Sequence, residues 1–126
     1  MKIKFKEVKD HGSTVSERIV LIVNDDDQLG NYMIFKAQRL NETRISTLGL
    51  VSYWFPDKEV KKNDLVVLYT TSGVNTERKN SDGTTTYFYY WGKDEPQWMS
   101  NKNVVVFTKL EEWQFANSVE PSADSL

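Results

Sequence analysis

Apolar residues in this chain fall in short runs separated by polar, turn-forming stretches, and almost none of the runs carries a helical period. Residues 2–6 (KIKFK) alternate strictly, which sets Ile3 and Phe5 on one face of a strand and the lysines on the other. Lysines on an open strand face also deter edge-to-edge pairing. Residues 18–23 (RIVLIV) are β-branched and apolar on both faces, the pattern of a strand inside a sheet. A turn-rich link follows and residues 32–37 resume a strand, so these two runs are expected to pair as a hairpin. Further strands are predicted over residues 48–55, 65–71, 87–91 and 104–108. Residues 72–84 read as a long polar loop with a turn at Asn80-Ser81-Asp82-Gly83. Residues 110–115 hold the one helix candidate, and it is too short to shape the fold.

About seven short strands at this spacing predict an all-β, immunoglobulin-like antiparallel β-sandwich. A length of 126 residues confines the chain to one such domain. Its expected extent is residues 1–115, followed by a flexible polar tail at 116–126.

Four segments stand out in order: residues 30–35 (GNYMIF), Leu48-Gly49-Leu50 with Tyr53-Trp54-Phe55-Pro56, residues 60–68 (VKKNDLVVL), and Tyr89-Tyr90-Trp91-Gly92 with Trp98 and residues 104–107. Together they resemble the strand motifs of the lamin-tail domain family, bacterial-type members included. Leu50 stands where that family prefers Trp, and Asn63-Asp64 replaces its Pro-Gly. The resemblance implies an immunoglobulin-like sandwich with a binding role and offers no catalytic residues to carry over.

Charge narrows the function classes. The net charge is −2, with 11 Lys/Arg against 9 Asp/Glu in residues 1–63 and 5 against 9 in residues 64–126. A nucleic-acid domain draws most of its affinity from phosphate neutralisation and usually carries a marked basic excess, which is missing here. The absence of cysteine excludes disulfides, thiol catalysis and thiolate metal sites. No apolar run approaches the roughly 20 residues of a membrane-spanning helix. Residues 1–15 are charged throughout and lack the apolar core of a secretion signal, so a cytoplasmic location is expected.

Candidate chemistry is sparse. The single histidine, His11, sits in a polar link without a nucleophile elbow anywhere in the chain, so no triad is expected. Asp25, Asp27 and Gly30 match positions of a calcium loop, but Leu29 and Lys36 fall where further ligands belong. Asp25 and Asp27 are therefore weak cation candidates, and no metal or cofactor is expected. Asp57, Glu59, Asp94 and Glu95 lie in loops, and nothing in the sequence fixes the distances a paired-carboxylate mechanism requires.

The aromatic run is the more distinctive feature. On a strand, Tyr87, Tyr89 and Trp91 face one way and Phe88 and Tyr90 the other, so one set fills the core and the other is covered or left as a platform. The expected function is a non-enzymatic interaction module with a protein partner, nucleic acid being the weaker possibility and a carbohydrate-binding aromatic platform the alternative. The expected binding residues are Trp98, Tyr89, Trp91, Arg78, Lys79 and Lys93, on or beside the loops at residues 72–84 and 93–103.

Overall fold

The apolar runs become strands where the pattern places them, and short polar strands fill in between. In the computed structural model, which describes residues 1–119, the order is β1 (Ile3–Lys9), β2 (Arg18–Val23), β3 (Asp27–Gln28), β4 (Tyr32–Arg39), β5 (Ile45–Trp54), β6 (Glu59–Val60), β7 (Leu65–Tyr69), β8 (Thr76–Lys79), β9 (Thr85–Tyr90) and β10 (Asn103–Lys109). A single 3-10 turn, Leu29–Asn31, precedes β4. The fold is all-β, a sandwich as expected, with ten strands in place of about seven.

A five-stranded sheet in the order β1-β2-β7-β9-β8 packs on a three-stranded sheet in the order β10-β4-β5, and β3 and β6 form a short ribbon. Period-two alternation decides what each strand buries. The larger sheet turns Ile19, Leu21, Val66, Leu68, Tyr87 and Tyr89 inward, where they meet Tyr32 and Ile34 from β4. Burying each of the larger aliphatic side chains contributes about 1.5–3 kcal/mol. Edge-on aromatic contacts link the layers, with Phe55 and Tyr89 at 5.5 Å and Tyr53 and Trp91 at 6.0 Å between ring centres.

Three expectations need correction. The runs at 18–23 and 32–37 do not form a hairpin: β2 pairs with β1 and β7, while β4 pairs with β5 and β10 in the other sheet. The link between them is too long for a tight hairpin turn. It is held open by Gln28, whose side-chain oxygen accepts from the N–H groups of Gly30 and Lys58. Second, the pairing is not purely antiparallel, because β7 and β9 run parallel. The polar segment read as a loop supplies β8, which pairs antiparallel with β9 on the outside and lets β9 return beside β7. Third, residues 110–115 form no helix. Of the predicted tail, residues 120–126 lie outside the described residues.

Candidate functional site

The residues expected to bind do not converge on one surface. Tyr89 and Trp98 are core residues, 7% and 6% exposed. Burial pushes the Tyr89 phenol up to about 12, so it is a neutral packing ring near pH 7. Trp91 is half-buried between Tyr53 and Trp98, and the Lys93 ammonium lies 5.6 Å from its ring centre. Arg78 and Lys79 are neighbours on β8 and so project to opposite faces of the sheet. A partner-seeking role for Tyr89 and Trp98 is therefore replaced by packing within this chain.

Trp98 is fixed by a residue that carries no pattern signal. Glu17, 1% exposed, accepts hydrogen bonds from the Thr70 hydroxyl at 2.6 Å and the N–H groups of Gly12, Gln97 and Trp98 at 2.7, 2.7 and 3.1 Å. Burial pushes this carboxyl up, but the Thr70 hydroxyl and then the three backbone donors outweigh it and hold it below the ordinary glutamate range. One carboxylate thus ties the 10–17 loop, the end of β7 and the 94–98 loop together.

The weak cation candidates behave differently from each other. Asp25 is exposed, whereas Asp27 is turned to the Tyr32 hydroxyl at 2.5 Å and the Lys109 ammonium at 3.0 Å. Burial raises the Asp27 carboxyl, and the bonds from Tyr32 and Lys109 more than reverse that. Among the described residues no three acidic or histidine side chains gather as metal ligands. Asp57 and Glu59 line an open cleft of about 670 Å³ with Asp64 and Glu77, but Asp94 and Glu95 do not. In that cleft Asp64 is committed to the N–H groups of Lys61 and Thr85, and Glu77 is bridged to Lys58 at 3.3 Å. His11 lines a separate cleft of about 430 Å³ beside Val8, Trp98 and Val105, and no carboxylate shares that lining.

The outer faces of the sheets are more telling. On the five-stranded sheet, Tyr69 of β7 stacks on Tyr90 and Phe88 of β9, with ring centres 5.2 and 6.4 Å away and interplanar angles of 10° and 29°. The Arg18 guanidinium lies 5.7 Å from the Tyr69 ring and that of Arg78 lies 5.5 Å from the Phe88 ring. Gly73 is pressed on Tyr90, where an added Cβ would sit 2.4 Å from the ring. Ring faces here pack against other rings, guanidinium groups and backbone.

On the three-stranded sheet, Tyr32 and Ile34 of β4 point into the core, so Met33 and Phe35 point out. The register sets Val106 beside Phe35, Thr108 beside Met33, Ser52 beside Phe35 and Trp54 beside Met33, with Val104 next along β10. No side chain in this group is charged, and Trp54 is 41% exposed. Trp113 stands edge-on to Trp54 at 4.6 Å and 85°. The sequence expectation places binding at the aromatic run and its loops, not on this face. Its signal was present: 32–35 and 104–107 are apolar on both faces, and a two-layer sandwich covers only one.

No family model matches the chain, and no curated protein matches it. Among the described residues no helix is long and apolar enough to cross a membrane.

Proposed function

We propose that this chain is a non-enzymatic protein-binding module whose contact surface is the outer face of the three-stranded sheet. The observation that carries the reading is the uncharged cluster of Met33, Phe35, Trp54, Val104 and Val106 on that face. A contiguous apolar patch with polar surroundings is how a protein surface marks a partner site. The matching partner presents an apolar surface without buried charge, since an unpaired charge brought against these side chains would be strongly disfavoured. A cytoplasmic setting and a lamin-tail-like ancestry belong to the same proposal, and neither is needed for the contact chemistry.

The alternatives have less in their favour. A carbohydrate platform offers flat, coplanar ring faces, whereas the exposed pair Trp54 and Trp113 stands at 85°. Base stacking needs open ring faces, and those of Tyr69, Tyr90 and Phe88 are largely occupied.

The test is quantitative affinity capture with wild-type chain, Phe35→Glu, and Lys62→Glu as an exposed control away from the face. Loss of a captured protein with Phe35→Glu alone supports the reading. Equal capture by all three chains, with sedimentation identical and monomeric, removes it.

A further inference from the structure

The far edge of the larger sheet, at β8, is exposed and chemically different from the uncharged face. We infer that β8 receives an acidic, extended peptide segment of a partner protein, which adds to the five-stranded sheet as a sixth strand beyond β8.

The backbone pattern gives the geometry. Asn80 N–H donates to Thr84 C=O at 2.8 Å, so Asn80 and Thr84 form a hydrogen-bonded pair of the β8–β9 hairpin. Antiparallel pairs alternate between bonded and non-bonded, which makes Arg78–Thr86 and Thr76–Phe88 bonded and Lys79–Thr85 and Glu77–Tyr87 non-bonded. The N–H and C=O groups of Glu77 and Lys79 therefore point away from β9 to the open edge. β8 is terminal in its sheet, and all its residues are exposed. The other outer strands are less open. Register shifts interrupt β1 at Phe5/Glu7 and the β4–β5 pair at Lys36/Gln38. β10 borders the cleft that it shares with Val8 of β1.

Charge selects the partner. The outer face of this sheet carries Lys4, Lys6, Lys9, Arg18 and Arg78 against Glu7 and the nearby Asp10, in a chain whose net charge is −2. Arg18 is bridged to Asp10 at 2.8 Å and Lys9 to Glu7 at 3.6 Å. Arg78 has no carboxylate partner among the described residues: its Nε donates to the Asn80 side chain at 3.3 Å, and the Phe88 ring lies 5.5 Å away. A strand laid beside β8 places every second side chain on this outer face next to Arg78, where a carboxylate gains a charge-assisted pair.

The experiment is fluorescence anisotropy with a labelled peptide of alternating glutamate and valine, run beside a mixed-sequence single-stranded oligonucleotide. The peptide is expected to bind. Arg78→Glu should weaken it by roughly tenfold or more, the scale of a lost charge-assisted hydrogen bond. Lys79→Pro should abolish binding, because it deletes an N–H that faces outward and is not used by the hairpin. Peptides methylated at alternate backbone nitrogens test the same edge on the unmodified protein, with one methylated set abolishing binding and the other tolerated. Absence of peptide binding, indifference to both methylated sets, or preference for the oligonucleotide would each overturn the proposal. None of these outcomes bears on Phe35 and Val106, which lie on the other sheet.

Discussion

On the five-stranded sheet Arg18 and Arg78 sit over the rings of Tyr69 and Phe88, while on the three-stranded sheet Phe35 stands beside the uncharged Val106 and Ser52. Both are outer faces of the same sandwich, and both are half-buried by their own neighbours. The difference lies in what occupies the apolar surface. Guanidinium groups and Gly73 pack on the rings of the first face and give it positive charge. The second carries uncharged, half-buried side chains with Trp113 set edge-on to Trp54, and the apolar area that remains is what the proposed contact uses. Aromatic content alone does not mark an interface. The proposed contact rests on uncharged apolar area instead.

The two faces share a frame, and the largest expected effect comes from breaking it. Glu17→Gln keeps the volume but replaces an acceptor with a donor beside backbone N–H groups and the Thr70 hydroxyl. A loss of roughly 3 kcal/mol is expected in denaturant unfolding. Both faces should remain in the fraction that folds, and an unchanged midpoint would show that Glu17 does not hold the loops.

Gly73→Ala comes next and acts on the first face only. The new methyl group must displace the Tyr90 ring, at a cost of about 1–3 kcal/mol, with a changed tyrosine signal in near-ultraviolet circular dichroism. If stability is unaltered, Tyr90 is not pinned by the backbone and the first face is more open than described.

Acid acts on the shared frame through Glu17 and Asp27. Both carboxyls are held below their ordinary ranges in the folded chain, so each binds protons more readily when unfolded. Their stabilisation is complete above the unfolded-state values and is lost as pH falls through the lower folded-state values. Unfolding free energy should therefore drop on acidification below the ordinary carboxylate range, and Glu17→Gln should flatten that drop. An equal acid dependence in wild type and variant would contradict the assignment to Glu17.

The smallest stability effect is expected on the second face. Phe35→Glu replaces a half-buried outward ring and should lower stability by about 1–2 kcal/mol, while removing the proposed partner contact. A large destabilisation would mean that Phe35 serves this chain's own core.

Much of the fold was legible because burial enforces period and composition. β2, β7 and β9 are strands whose inner faces must be apolar, and their sequences say so. β8 was not legible, since an edge strand exposed on both faces needs no apolar alternation, and Thr76–Lys79 has none. The switch of sheet between β2 and β4 depends on Gln28 reaching Lys58, a contact between residues far apart in the chain. Glu17 was invisible for the same reason, because most of its partners are backbone groups, two of them in the 94–98 loop. The site was half legible. The aromatic run was correctly split into two faces, but the sequence does not reveal that Arg18 and Arg78 cover one of them. Trp98 is an expected binding residue because it falls in a loop, yet that loop folds inward onto Glu17.

The most direct measurement is site-specific photo-crosslinking from Val106, on the uncharged face, and from Lys62, outside it. The account predicts a protein adduct from Val106 that disappears when Phe35→Glu is added, and none from Lys62. Equal adducts from both positions, or an adduct at Val106 that survives Phe35→Glu, would contradict the claim that the outer face of the three-stranded sheet is the binding surface.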